Sequence, residues 1–225
     1  MHRCALFIFL LFLSALPFAE ERPLSLAYEK RQASAAAENG RVFFDPHYGM
    51  YLFVDSPVCQ RVVMNGDHFI YYYPEENVAL KMTNREGTLS TAALQLFMYS
   101  DREDLGLQGL GFVLTGHETA GDTLVKIWEK RGKSRQEYMR LKVYVFRERV
   151  VKTISSDDKK ELKRVFFSGW QERDRRYYPM NIRIREDGLD TDYSFKDLRF
   201  LTEIPDSVVR RFILPEDCEV YEYRW

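Results

Sequence analysis

Through residues 40–82 apolar and polar side chains roughly alternate, most clearly over Met50–Val54 and Val58–Met64. A period of two is the pattern of a strand that turns one face inward. Asn65-Gly66 sits where a two-residue hairpin turn wants two positive φ values, and Pro46, Pro57 and Pro74 punctuate the runs. The segment therefore predicts four or five consecutive strands in an antiparallel meander. Tyr48, Tyr51, Phe53, Phe69, Tyr71, Tyr72 and Tyr73 load it with more aromatic surface than one small core needs. That excess points to a concave apolar face kept for an apolar ligand.

The alternation Leu24, Leu26, Tyr28, followed by an Asn39-Gly40 turn, predicts a first strand over Leu24–Ala33. Helical spacing returns in Leu89–Tyr99, where Leu89, Ala92, Ala93, Leu96 and Phe97 share a face and Thr88 or Ser90 can cap. This helix is expected to pack across the mouth of the sheet. The Gly-rich stretch from Gly106 to Gly111 reads as a flexible lid or linker. Strands then resume at Phe112–His117, Thr123–Lys130, Gln136–Arg147, Val150–Ile154, Lys163–Gln171, Tyr178–Arg185, Thr191–Leu201 and Phe212–Trp225. Gly121-Asp122, Ser156-Asp157-Asp158 and Asp187-Gly188 mark turns, and Asp206–Val209 predicts a short helix. No linker or repeat divides the chain, so the pattern predicts a mainly β, single-domain protein with a few helices.

Met1–Ala19 changes the picture of where this domain works. A basic start (His2, Arg3), an apolar stretch from Ala5 to Leu16 and small residues near its end fit a signal peptide, 1–19, with an apolar run too short to cross a bilayer. Cleavage is expected after Ala19, with Ser25-Leu26-Ala27 as the alternative and an uncleaved anchor left open. The domain then spans 20–225. Cys4 precedes the apolar run, so it is no lipobox cysteine. Lys and Arg number 33 against 34 Asp and Glu; loss of Arg3 with the signal leaves a near-balanced domain, which argues against a nucleic-acid partner. Cys59 and Cys218 remain in an oxidising compartment. A disulfide between them and two small buried thiols are both open readings.

Three stretches together carry a family resemblance. FFDPHYGMYLF (43–53) stands in the place of a strand, an Arg-Pro pair and an aromatic strand, with Asp45 at the Arg position. PVCQRVVMNGDHFIYYYP (57–74) matches a Pro, Gln-hydrophobic, Asp-Gly, aromatic-Tyr-x-Pro hairpin, and FILPEDCEV (212–220) a terminal Phe-x-Pro-Pro-x-Gly-Val pattern. In this order and behind a signal sequence, they resemble the LolA family of periplasmic lipoprotein carriers. The resemblance implies a single half-open antiparallel β-barrel with a few capping helices, located in the periplasm. Its cavity would hold lipoprotein acyl chains or lipid, with an inner-membrane release complex and an outer-membrane acceptor as partners. Three places depart from the pattern: Asp45 stands before Pro46 where the family has a basic lid latch, Gly49 stands where it has an aromatic at the barrel mouth, and Asp217-Cys218 replaces its Gly-Val after Pro215.

Chemistry is sparse elsewhere. His47, His68 and His117 have no partner at i+4 and no Cys-x-x-Cys nearby, so no metal site is predicted. Ser156-x-x-Lys159 lacks the companion motifs of a penicillin-binding nucleophile and reads as a turn. Gly106, Gly109 and Gly111 have the wrong spacing for a dinucleotide loop. No catalytic residue and no cofactor is expected. What remains is apolar binding. The face containing Tyr51, Phe53, Val62, Met64, Ile70 and Tyr72 is the candidate lining, with Leu94 and Phe97 from the helix as lid, and a closed core is the alternative role for each. The function expected is a non-catalytic carrier that moves acyl chains between membranes. An envelope lipid sensor of the same fold and an interaction protein with no ligand are the alternatives.

Overall fold

The computed structural model describes residues 22–33, 35–65, 68–83, 97, 99–100, 104–131 and 138–224. Six strands come first: β1 (Leu24–Gln32), β2 (Glu38–Asp45), β3 (Gly49–Ser56), β4 (Gln60–Asn65), β5 (His68–Tyr73) and β6 (Val78–Thr83). Seven more follow: β7 (Val113–Ala120), β8 (Thr123–Lys130), β9 (Met139–Phe146), β10 (Arg149–Ser156), β11 (Glu161–Arg173), β12 (Arg176–Glu186) and β13 (Leu189–Phe200). A short helix α1 (Asp206–Val209), a 3-10 turn (Arg210–Phe212) and β14 (Glu219–Arg224) end the described chain.

The two meanders fuse where β13 pairs with β1, giving one sheet of order β14-β6-β5-β4-β3-β2-β1-β13-β12-β11-β10-β9-β8-β7. All pairings are antiparallel except β14 on β6. The edges, β7 and β14, do not meet, so the sheet is a half-open barrel. Sheets beyond about ten strands curl rather than stay flat, and one face here carries a continuous core of residues from β1–β5 and β8–β13. Strand β12 shows the sequence rule at work. Met180, Ile182 and Ile184 are buried, while Asn181 and Arg183 between them and Arg185 after them are exposed.

Most predicted strands stand where the alternation put them, including all five between residues 38 and 83. Three expectations change. Gly40 is not in a turn but inside β2, where a Cβ would lie 2.1 Å from the Phe53 carbonyl oxygen and 2.7 Å from the Tyr28 ring. The Gly106–Gly111 stretch, expected as a flexible lid or linker, is a chain of hydrogen-bonded turns, with Leu105, Leu107 and Phe112 buried beneath it. The Phe212–Trp225 strand is shortened, because Phe212 ends the 3-10 turn and pairing begins only at Glu219. Most of Leu89–Tyr99 lies outside the described residues; Phe97 is helical and fully buried.

The segment from α1 to β14 crosses the outer face of β3–β6. Phe212 packs its ring 5.2 Å from Tyr51 and 4.7 Å from Phe53, and the Arg61 guanidinium donates to the Arg211 carbonyl at 2.8 Å. Asn77 fastens the far end, accepting from the Tyr72 hydroxyl and donating through Nδ2 to the Asp217 carbonyl, both at 3.2 Å. Cys59 and Cys218 are both free thiols. Their neighbouring strands, β4 and β14, are three strand spacings apart, roughly 14 Å, well beyond the ~7 Å Cα limit for a bridge.

Candidate functional site

The aromatic residues of the first hairpins divide between two faces. Directly paired residues of a sheet share a face, and β4 pairs Val62 with Leu52 and Tyr71, and Met64 with Met50 and Phe69. Val62 and Met64 therefore belong to the inner core, where Val62 is 2% exposed. The same register pairs Tyr51 with Val63, Val63 with Ile70, and Arg61 with both Phe53 and Tyr72. Tyr51, Phe53, Ile70 and Tyr72 thus face outward, beneath the C-terminal segment. The predicted lining is two sets on opposite faces, because the β3–β4 register joins residues of like parity, such as Leu52 with Val62, whereas the β4–β5 register joins residues of unlike parity, such as Val62 with Tyr71. Phe97 sits in the core centre, its ring 4.5 Å from Phe195 and 5.6 Å from Tyr178. Leu94 lies outside the described residues.

Open apolar space exists instead on the inner face of the second meander. A cavity of about 270 Å³ lies between the turns at 104–112 and strands β9–β11. Leu105, Leu107, Leu110, Phe112 and Tyr99 form its roof, and Met139, Leu141, Leu162 and Val165 line its other sides. The roof is built by local bonding. The N–H of Leu107 donates to the Asp104 carbonyl (2.9 Å) and that of Phe112 to the Leu107 carbonyl (3.0 Å), while the Asp104 side chain accepts from Gly106 N–H (3.1 Å). Gly106 and Gly111 take φ of +72° and +82°, the left-handed conformation that lets the chain reverse. Leu110 remains 42% exposed at the edge, so the cavity reaches solvent. The glycines mark this stretch in the sequence as a flexible lid or linker, but not its leucines as a lining. The available signal was Leu105, Leu107 and Leu110 inside a Gly-rich stretch that a linker would not need to make apolar.

Polar side chains occupy the rim. Lys163 and Glu186 pair across β11 and β12 at 3.0 Å, and the Ser155 hydroxyl donates to the Lys163 carbonyl at 3.4 Å. The inward residues at the same end of β1 and β2 add a second cluster, in which Glu38 accepts from the Tyr28 hydroxyl at 2.8 Å and pairs with Lys30 at 3.1 Å. Burial, and then the Glu38 charge, push the Tyr193 hydroxyl up to about 12. The same causes, joined by its hydrogen bond to Glu38, drive the Tyr28 hydroxyl further above the ordinary tyrosine range. Both phenols therefore stay neutral donors through the physiological range.

Two of the departures from the family pattern, Asp45 and Gly49, have local explanations. Asp45 accepts the N–H groups of His47 and Tyr48 at 2.8 and 3.3 Å, so it shapes the β2–β3 turn and offers no cationic latch. Gly49 has φ +103°, and a Cβ there would lie 2.0 Å from the Met64 carbonyl oxygen; no aromatic fits. Ser156-x-x-Lys159 is the β10–β11 turn, where the Asp157 carboxylate accepts from Lys159 and Lys160 N–H, each at 2.7 Å. Among the described residues, no group of three His, Cys, Asp or Glu side chains could hold a metal ion. Nor is any helix among them long and apolar enough to cross a membrane.

Compared as sequence, the chain matches no family model and no curated protein. Compared as structure, it is similar to a LolA-superfamily protein of Nitrosomonas europaea, with TM-score 0.56 and 14% identity over 87% of this chain and 90% of that one. It is similar also to a DUF1329-family protein of Desulfovibrio piger, with TM-score 0.60 and 18% identity over 88% and 93% of the two chains. At these identities the likeness is one of fold: the chain has the LolA-like fold, a half-open antiparallel β-barrel built as a single sheet.

Proposed function

We propose that this protein is a non-catalytic periplasmic carrier that shelters the acyl chains of lipids or lipoproteins while they pass from the inner to the outer membrane. The observation that carries the reading is the solvent-connected apolar cavity beneath the 104–112 turns, on the inner face of a sheet that does not close. A carrier needs this compromise. Each buried methylene contributes about 0.8 kcal/mol, so several together retain a chain, while an open rim lets it leave again. The secretion-type N-terminal sequence and the LolA-like fold support the location and the cargo class. An inner-membrane donor and an outer-membrane acceptor are the partners such a carrier would serve.

The test is native mass spectrometry of protein purified from the periplasm of its source without detergent. A removable lipid-sized mass at one per chain is expected, and Leu141→Trp, which fills the cavity, should abolish it while leaving the β-sheet circular dichroism intact. Protein that never carries or accepts an acyl chain would sink the carrier reading.

A further inference from the structure

The size of this cavity and the charge at its mouth narrow the ligand class, an inference that rests on the carrier reading. At about 270 Å³ the space falls just under the roughly 300–1,000 Å³ that encloses drug-sized molecules. A single alkyl chain of medium length is an occupant of that bulk, and a longer one would leave its outer methylenes at the open rim. A diacyl or triacyl lipid carries two or three times as much apolar volume and would leave chains in water, losing the burial that retains it.

The mouth supplies the complementary half. Lys163 and Glu186 both border the cavity and pair at 3.0 Å, but their side chains are 25% and 50% exposed respectively. The carboxylate is the more solvated partner and is the easier one to displace, since it regains water on leaving. Lys163 can keep its aliphatic stem along the apolar wall beside Val165 while its ammonium stays at the opening. Beyond the roof, the Lys130 ammonium lies 6.0 Å from the Phe112 ring centroid and adds a second positive charge. We infer that the site takes a single-chain amphiphile with an anionic head, its chain beneath the 104–112 turns and its head on Lys163 in place of Glu186.

The test is partition of radiolabelled ligands from phosphatidylcholine vesicles onto delipidated full-chain protein. Palmitate supplies a carboxylate head, 1-palmitoyl-lysophosphatidylglycerol a phosphate head, 1-hexadecanol an uncharged one and dipalmitoylphosphatidylglycerol two chains. One anionic single-chain ligand per protein is expected, with hexadecanol weaker by up to about tenfold, because the head exchanges for the Glu186 carboxylate and gains only part of one charge-assisted contact. A preference between palmitate and the lysophospholipid then identifies the source of the anion. Lys163→Met should bring palmitate down to the level of hexadecanol and leave hexadecanol unchanged, whereas Glu186→Gln should tighten palmitate. Both positions are partly exposed, and circular dichroism checks that each variant is folded. Equal binding of palmitate and hexadecanol by the unaltered protein, or an equal loss of both in Lys163→Met, would overturn the head-group assignment and leave the carrier reading standing. Equal uptake of the two-chain lipid would overturn the single-chain assignment. Failure of every amphiphile to bind would overturn the carrier reading, and this inference with it.

Discussion

Val62 shows how much one register decides. Paired with Leu52 and Tyr71 on the inner face, it is 2% exposed, and a charge placed there would be buried. Val62→Glu is expected to cost about 3–5 kcal/mol, as an uncompensated buried charge does, read as a fall in the denaturation midpoint. Retention of near-normal stability would place Val62 on a hydrated cavity instead. Strain at the hairpins runs the other way. Asp174 and Arg175 close β11–β12 with φ of +49° and +63°, a conformation that suits glycine and disfavours side chains by roughly 1–2 kcal/mol per residue. Arg175→Gly should therefore stabilise the fold by about 0.5–1 kcal/mol once the greater freedom of the unfolded chain is subtracted, measured by urea unfolding. Tyr193 gives a pH signature. Burial raises its pKa to about 12, whereas an unfolded tyrosine titrates near ~10. Its contribution is complete below about pH 10 and is lost as pH rises through about 12. Tyr193→Phe should lessen the loss of stability over that alkaline window, leaving the share of Tyr28, and should leave neutral pH unchanged.

At the scale of elements, the C-terminal segment holds the outer face. Tyr51, Phe53 and Tyr72 point away from the core and would form an exposed aromatic patch without Phe212 and the chain that follows it. Phe212 is half-buried, so Phe212→Ala should destabilise by about 2 kcal/mol, less than the loss of a fully buried ring. Limited proteolysis should then cut within residues 206–218 sooner than in the unaltered protein. Unchanged stability and cleavage would mean that the segment adds nothing to the sheet. Asn77 is the second fastening, and its left-handed φ of +53° is one that asparagine tolerates better than most residues.

Across the whole molecule, protection should fall from the seam to the edge. β1 and β13 lie at the centre of the sheet with neighbours on both sides, whereas β7 is an edge strand and seven of its eight residues are exposed. Amide exchange is expected to be slowest in β1 and β13 and fastest in β7. Uniform exchange along the sheet would contradict a structure organised around that seam.

The same seam marks the limit of what the sequence determined. Alternation placed almost every strand, because a period of two is a local property that each strand carries within itself. The Asp187-Gly188 hairpin was legible for a similar reason: its residue types fit the φ of +48° and +79° that they adopt. Arg147-Glu148 and Asp174-Arg175 were not, since they hold the same conformation without glycine. The β1–β13 pairing that fuses the two meanders joins residues far apart in the chain, and no local pattern encodes it. Nor could alternation choose between faces in β3–β5, where both sides are apolar; only the partner register and the return of Phe212 separate core from outer surface. The cavity is the clearest case. Its roof and its strands are distant in sequence, and the empty space between them is a property of how they pack, which no single residue states.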